Sequence, residues 1–446
     1  MSNEHEPTIR VGFLTGVKDV KFALAGRFVS NEGDDPIEGD HTARWQDGGV
    51  GIDGVGAQKE IMFSPSDIDS CRFIVHGVKI GINFHWEREE SQQFQGALRI
   101  VAGADSLTLI NELPLEAYLV SVISSEMSAS CPPELLRAHA VVSRSWLLAQ
   151  LRKEATDSAP AALISEGSDA ALIRWYDREN HIGFDVCADD HCQRYQGISK
   201  AVSESAFDAV RDTRGKVLVY DGQICDARYS KSCGGMTEVY RAAWEDKDMP
   251  YLASVYDVPG SEPSGYRMPL SVEANAAAWI TASPPAYCGI VSPELLGRIA
   301  TSFDKETRDF YRWRVEYSQE ELSEILKLRL GVDFGRLRKL EPLERGESGR
   351  IVRMKITGEK RTLIIGKELE IRRALSRSHL YSSAFVVRSE QGHLSDYPAR
   401  FILIGGGWGH GVGLCQIGAA VMADSGHDYE EILSHYFKGA AVQGLY

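Results

Sequence analysis

Residues 113–150, LPLEAYLVSVISSEMSASCPPELLRAHAVVSRSWLLAQ, decide the reading of this chain. Leu115, Tyr118, Leu119, Val122 and Ile123 recur at the i, i+3, i+4, i+7, i+8 spacing of one buried helix face. Pro114 suits the first helical position, where a missing amide hydrogen costs least. A second helix is expected from Pro132, Pro133 and Glu134, with Leu135, Ala138, Val142, Trp146 and Leu147 on its apolar face as far as Leu151. Glu126 stands where the first helix gives out. Helix C-termini disfavour negative charge, and a carboxyl group beside apolar surface can have a raised pKa, so Glu126 is a candidate general acid. The plain alternative is an exposed helix-end glutamate with no role.

Around this pair the chain predicts an α+β fold, mixing helices and antiparallel strands, with a helix-rich core and β-rich flanking lobes. Residues 1–104 form an N-terminal β-rich region, in which 9–14, 22–28 and 73–82 read as strands. Residues 32–56, rich in Gly and Asp, are expected to be loops, and 154–180 a loop or small insertion. Lys216–Tyr220 and 224–229 flank an Asp221–Gly222 hairpin signal. Residues 257–300 look like linker plus a short helix. Ser318 and Glu321 form a capping-box pattern for a helix over 318–330. Strands return over 332–404, so a second domain, 105–446, contains a β-rich lobe at about 260–404. At the C-terminal end Leu414, Ile417, Val421 and Met422 share a helical face that Gly426 can stop, and Asp428 with Glu431 caps a further helix.

The length, 446 residues, suits about two to three domains or lobes. A net charge of −14 argues against a general nucleic-acid binder and gives no long-range attraction to anionic membranes, while leaving room for a local basic cleft. No apolar run reaches the ~18–20 residues of a membrane span. Residues 1–13 show neither a basic n-region nor an apolar h-region, so no secretory signal is read there. The eight scattered cysteines favour reduced thiols with a metal site over a disulfide framework.

Three further stretches carry chemistry. In GGGWGHGVGLCQIGAA, residues 405–420, the glycines permit close backbone approach to a ligand. The phosphate-loop pattern and its lysine are absent, which favours a sugar-binding rim using Trp408 and His410, with the amides of the following helix facing a polar group. A tight structural turn is the alternative. In HIGFDVCADDHCQRYQG, residues 181–197, thiolates and imidazoles suggest zinc. His181, Cys187 and Cys192 form the best trio, because adjacent His191 and Cys192 rarely share an ion; ordinary buried cysteines and a surface histidine are the alternative. In YSKSCGGMTE, residues 229–238, a reactive Cys233 paired with His410 would make a Cys/His hydrolase, although no protease or amidase signature surrounds them.

Four ordered blocks, the helix pair, 229–238, 348–387 and 407–439, together resemble the stage II sporulation protein D and amidase-enhancer family. The matching residues are Leu113–Pro114, Leu115–Glu116, Tyr118–Leu119, Glu126–Met127, Pro133–Glu134, His139–Ala140–Val141 and Arg144 in the helix pair, then 229–238. SGRIVRMKITG (348–358) and IRRALSRSHLYSSAFVV (371–387) look like the family's β-rich middle, and 407–439 like its ending. The match covers roughly residues 105–440. It departs at His139, where Gln is usual, at Cys131–Pro132 after Glu126, and at Cys415, a position often held by Ser.

The resemblance implies a peptidoglycan lytic transglycosylase, making 105–446 the catalytic domain. Glu126 would protonate the oxygen between N-acetylmuramic acid and N-acetylglucosamine. As a carboxylate it would then take the C6 hydroxyl proton, and that hydroxyl closes on C1 to leave a 1,6-anhydro end. One carboxyl group suffices, where a classical glycosidase uses two. Glu116 lies ten residues back, roughly 15 Å along an unbroken helix, too far to pair with Glu126. Arg144, Ser232, Trp408, His410 and Gln416 are expected to bind substrate. The resemblance also implies structural zinc on His181, Cys187 and Cys192, peptide-stripped glycan strands as substrate, an N-acetylmuramoyl-L-alanine amidase as a partner and a cell-envelope or periplasmic setting. A non-catalytic, glycan-binding amidase enhancer is the second reading.

Overall fold

The computed structural model describes residues 5–53, 55–81, 88–153, 162–166, 169–176, 181–189, 192–201, 203–260, 264–300, 309–391 and 396–446. The fold is α+β, as the sequence implies. The helix pair lies where the apolar spacing puts it: α1 is Leu115–Glu126 and α2 is Pro133–Arg152. Pro133 opens α2, whereas Pro114 caps α1 from outside the helix. Both helices are buried well beyond one stripe. In α1 every residue from Leu115 to Ser125 except Ala117 is buried, the pattern of a helix enclosed on all sides.

One wall of that enclosure is a largely antiparallel sheet of eleven strands among the described residues. Its order runs Val186–Cys187, Thr8–Val17, Leu107–Pro114, Ala97–Ala102, Glu60–Pro65, Asp19–Ser30, Gly33–Gln46, Gly49–Ile52, Val55–Gln58, with Arg72–Ile80 bridging Asp19–Ser30 to Arg88–Phe94. Ile9 faces Leu113 and Val11 faces Asn111 in the register that leads directly into α1. Phe13, Phe73 and Phe94 stack beneath it, with Phe13 and Phe94 ring centroids 4.3 Å apart. The division at 104/105 passes between two adjacent strands of this sheet, Ala97–Ala102 and Leu107–Pro114, and one apolar core continues from the sheet through α1 and α2 to Ile432 and Tyr436.

The loop expected over 32–56 is instead three strands. Gly33–Gln46 is long, polar and mostly exposed, so it lacks an apolar alternation to announce it, and pairing with Asp19–Ser30 forms it; Gly49–Ile52 then pairs with it across the Asp47–Gly48 turn, with φ of 47° and 82°, and Val55–Gln58 pairs with Gly49–Ile52. Within 154–180 the described residues include the strands Ala162–Glu166 and Asp169–Ile173, the second parallel to Thr362–Gly366. The Asp221–Gly222 hairpin is present, with its second strand reduced to Gln223–Ile224. The expected linker over 257–300 carries Glu273–Thr281 and Pro293–Ile299 as helices.

A second core belongs to the later β-rich part. Strands Leu337–Arg345, Ile351–Gly358 and Thr362–Gly366 and the set Arg312–Ser318, Pro398–Gly406, Phe385–Gln391 enclose Leu322, Ile325 and Leu326 of helix Gln319–Leu330. Ser318 Oγ accepts from the Glu321 amide at 3.1 Å, and Asp428 and Glu431 complete a capping box at Tyr429–Tyr436. The connection that matters for the site is small: strand Tyr229–Ser230 runs parallel to Leu414–Cys415, joining two distant motifs.

Candidate active site

Glu126 is the last residue of α1 and is half-buried. Its Oε1 accepts from the Arg194 amide and from the Tyr229 hydroxyl, both at 3.0 Å. Lys231 Nζ donates to the Glu126 carbonyl at 3.1 Å, a cation on one of the carbonyls a helix end leaves unpaired. Burial, and then the charge of Glu126, pushes the Tyr229 phenol well above its ordinary pKa, so it remains a proton-bearing donor.

The Tyr229 ring lies 4.6 Å from that of His139 on α2. His139 is fully enclosed; its Nε2 accepts from Gln416 Nε2 at 3.0 Å, and its Nδ1 donates to Ser143 Oγ at 3.2 Å. Burial, helped by the positive charge of Lys231, lowers its pKa to about 3, so the ring is neutral in this arrangement. Residues from α1, α2, 229–231 and the start of helix Gln416–Asp424 therefore converge on Glu126.

The glycine stretch wraps a buried cation. Arg350 Nη1 donates to the Cys233 carbonyl at 3.1 Å, and its Nε and Nη2 donate to the Gly409 carbonyl at 3.2 Å. At Gly411, with φ of 77°, a Cβ would sit 2.3 Å from Arg350 Cζ, so a side chain there meets the guanidinium. Glu238 anchors the other side. Buried, with its pKa raised by that burial, it accepts from the Glu347 and Ser348 amides and from Ser348 Oγ at 2.7 Å.

The expected substrate binders divide into two sets. Arg144 is fully buried and committed to structure: Nε and Nη2 hold the two Glu116 carboxylate oxygens at 2.9 and 2.5 Å, and Nη1 donates to the Lys216 carbonyl. Ser232 is fully buried too and pairs with Trp408 through backbone bonds of 3.1 and 2.7 Å. Gln416 is buried against His139. These three are framework, because the motifs that carry them are drawn into the core. Trp408 and His410 are half-buried: Trp408 stacks on Tyr381 at 4.4 Å, and His410 meets Trp244 edge-on while its Nδ1 accepts from the Val412 amide. Burial and nearby arginines hold His410 well below its ordinary pKa.

Two further expectations change. The amide at the start of helix Gln416–Asp424 is capped from within, as Gly418 donates to Cys415 Sγ at 3.4 Å. Cys233 faces Asp257 and Cys288 at 3.2 and 3.7 Å, so its thiol belongs to that cluster and not to a dyad with His410.

His181, Cys187 and Cys192 come together with their ligating atoms all within 4.8 Å, and His181 Nε2 is 3.3 Å from Cys192 Sγ. The trio could hold a zinc-type ion by its donor chemistry. Its neighbours lead to both sides. Cys187 lies on the strand beside Thr8–Val17, with Arg10 paired to Asp185 at 2.8 Å, and Cys192 is two residues before the amide that holds Glu126. His191 lies outside the described residues.

Tyr229, the Arg194 amide, Glu238 and Arg350 escape a sequence reading. Tyr229 and Glu238 sit inside a motif that the sequence singles out, yet its spacing gives no hint of which members face Glu126.

Comparison with known proteins agrees with the motifs. Residues 103–220 match the family described as Stage II sporulation protein, and residues 238–413 match a Domain of unknown function (DUF8618). Stage II sporulation protein D of Bacillus subtilis (strain 168) is 25% identical over 340 residues, covering 75% of each chain. An uncharacterized protein of Brachyspira hyodysenteriae is 25% identical over 399 residues, covering 88% of this chain and 79% of that one. The amidase enhancer of Bacillus subtilis is 24% identical over 245 residues, 52% of this chain and 32% of the enhancer. No helix among the described residues is long and apolar enough to cross a membrane. The resemblance carried by the motifs therefore stands: residues 103–220 match the Stage II sporulation protein family model, and the chain is similar to stage II sporulation protein D and, over part of its length, to the amidase enhancer.

Proposed function

We propose that this protein is a lytic transglycosylase of peptidoglycan glycan strands, working in the cell envelope, with Glu126 as its acid and then its base. The observation that carries the reading is the half-buried carboxyl group at the end of α1, held on one oxygen by the Arg194 amide and the Tyr229 hydroxyl. Both donors bind a carboxylate more strongly than a carboxylic acid, so they favour release of the Glu126 proton to the glycosidic oxygen between N-acetylmuramic acid and N-acetylglucosamine. The resulting carboxylate takes the proton of the C6 hydroxyl as that oxygen bonds to C1. The leaving sugar departs with the first proton, Glu126 ends as it began, and no water is consumed. The half-buried Trp408 and His410 supply an apolar face and a neutral imidazole for the sugar rim.

His181, Cys187 and Cys192 would hold a structural zinc, whose contribution is to fix the fold of the segment that presents the Arg194 amide. Peptide-stripped strands are the substrate expected from the family, with an N-acetylmuramoyl-L-alanine amidase acting before this protein.

The test is mass spectrometry of products from amidase-treated glycan strands incubated with wild type and with Glu126→Gln. Anhydro-ended fragments from wild type alone are expected. Cleavage by Glu126→Gln at the wild-type rate would remove Glu126 from the mechanism, and reducing ends would mean hydrolysis through a second carboxylate. The similarity to the amidase enhancer favours one other reading, a glycan binder that stimulates an amidase without cleaving. Glycan binding with no cleavage by wild type, and amidase stimulation retained in Glu126→Gln, would support that reading instead.

A further inference from the structure

Away from Glu126, four side chains from four separate segments meet in the core. Cys233 precedes Gly234–Gly235, Asp257 follows strand-like backbone paired to Gly235, Cys288 lies in the turn Tyr287–Gly289, and Cys415 caps helix Gln416–Asp424. All four are buried, and their ligating atoms lie within 4.8 Å of one another. Cys233 Sγ is 3.7 Å from Cys288 Sγ and 3.2 Å from Asp257 Oδ2. A tetrahedron with metal–sulfur bonds of about 2.3 Å and a metal–oxygen bond of about 2.0 Å has S···S edges of about 3.8 Å and S···O edges of about 3.5 Å. The two measured separations lie close to those edges.

The surroundings suit thiolates. The Cys233 amide donates to Cys415 Sγ at 3.2 Å, the Gly235 amide to Cys233 Sγ at 3.4 Å and the Gly418 amide to Cys415 Sγ at 3.4 Å. Hydrogen bonds to sulfur of this kind support metal–thiolate groups. Asp257 turns Oδ2 to the sulfurs while Oδ1 accepts from the Tyr436 hydroxyl at 2.7 Å, with His435 Nε2 3.6 Å away, an outer shell that orients a single ligating oxygen. Two guanidinium groups flank the loop: Arg350 donates to the Cys233 carbonyl and Arg312 to the Gly234 carbonyl, each at 3.1 Å. A disulfide between Cys233 and Cys288 would account for two of the four groups and leave the third sulfur and the carboxylate unexplained.

We infer that Cys233, Asp257, Cys288 and Cys415 form a second metal centre, a buried Cys3Asp site for a divalent zinc-type cation in a structural role. Four protein ligands fill a tetrahedron and leave no position for substrate. Three thiolates and one carboxylate on a divalent ion leave the complex with two negative charges beside Arg312 and Arg350, and any thiol proton displaced on loading goes to solvent. The ion ties the two segments that reach the Glu126 site, since Lys231 stands two residues before Cys233 and Gln416 directly after Cys415. The centre does not depend on which reaction the protein performs.

The experiment uses full-length protein in which Cys187→Ser and Cys192→Ser together remove the other candidate site. Expressed with zinc, this double variant is expected to retain about one zinc equivalent, and with Co2+ to show thiolate-to-cobalt charge transfer and the visible bands of tetrahedral cobalt. Adding Cys288→Ser should abolish both, and adding Asp257→Asn should shift the visible bands. If Cys288→Ser does not fold, mercurial titration of the double variant decides: release of the ion should track the modification of three thiols. A reduced, folded double variant that takes up neither Zn2+ nor Co2+ overturns the inference, as does a Cys233–Cys288 disulfide whose reduction restores no metal binding.

Discussion

Tyr229 donates to Glu126 at 3.0 Å, and its raised pKa keeps it a donor throughout the working pH range. A hydrogen bond to a charged group contributes about 1.5–3 kcal/mol, so Tyr229→Phe should slow cleavage by roughly ten- to a hundredfold with little change in glycan affinity. Initial rates on peptide-free strands measure it, and a rate within twofold of wild type would exclude the role. Arg144 predicts the opposite behaviour. Removing one partner of a buried ion pair costs about 3–5 kcal/mol, so Arg144→Ala should lower stability in denaturant titration while the folded fraction binds glycan normally. His139 carries a pH signature. Its pKa falls from 6.5 to about 3 on folding, so the unfolded chain binds a proton that the folded protein does not. The stabilising contribution is complete above pH about 6.5 and is lost as pH falls toward 3, at up to about 1.4 kcal/mol per pH unit. Between pH 7.5 and 4.5 the Tm of wild type should fall more steeply than that of His139→Gln; parallel curves would contradict the neutral, enclosed imidazole.

The glycine stretch behaves as one element with Arg350 at its centre. Its glycines are needed less for mobility than for room, since a Cβ at Gly411 would lie 2.3 Å from the guanidinium carbon and its φ of 77° disfavours a side chain. Gly411→Ala should therefore cost about 2 kcal/mol or more and reduce glycan binding along with stability, read by thermal unfolding and by pull-down on purified strands. The glycine density is legible in the sequence; its reason is not, because Arg350 comes from a turn between two strands about sixty residues earlier in the chain. The strands over 33–58 show the same limit. Gly33–Gln46 is rich in residues that favour turns and solvent, and hydrogen bonding to the ladder of Asp19–Ser30 makes it a strand on which the next two are laid in turn.

Across the whole molecule the N-terminal sheet is part of the site's support. Strand Thr8–Val17 pairs with both Leu107–Pro114, which feeds α1, and Val186–Cys187, which carries a ligand of the candidate zinc trio. Disrupting that trio should reach Glu126 through the Arg194 amide. Cys187→Ser or Cys192→Ser is expected to lose one zinc equivalent and to lower the cleavage rate about tenfold or more while α1 and α2 remain folded, checked by metal analysis, product mass spectrometry and circular dichroism. Full activity in a variant that has lost that zinc equivalent would separate the trio from the site.

The sequence by itself determined the helix pair, the strands with alternating apolar residues, the caps at Ser318 and Asp428, the family resemblance and the place of Glu126 at a helix end. These follow from periodicity and short-range spacing, which one segment carries alone. The tertiary structure decided which motif residues face Glu126, that Arg144, Ser232 and Gln416 are framework, and that Cys233, Asp257, Cys288 and Cys415 form one cluster. Those outcomes depend on contacts between segments that no local pattern encodes, such as the two-residue pairing of Tyr229–Ser230 with Leu414–Cys415. A side chain's chemistry is written at its own position, but its burial and its partners are set by the residues that fold against it.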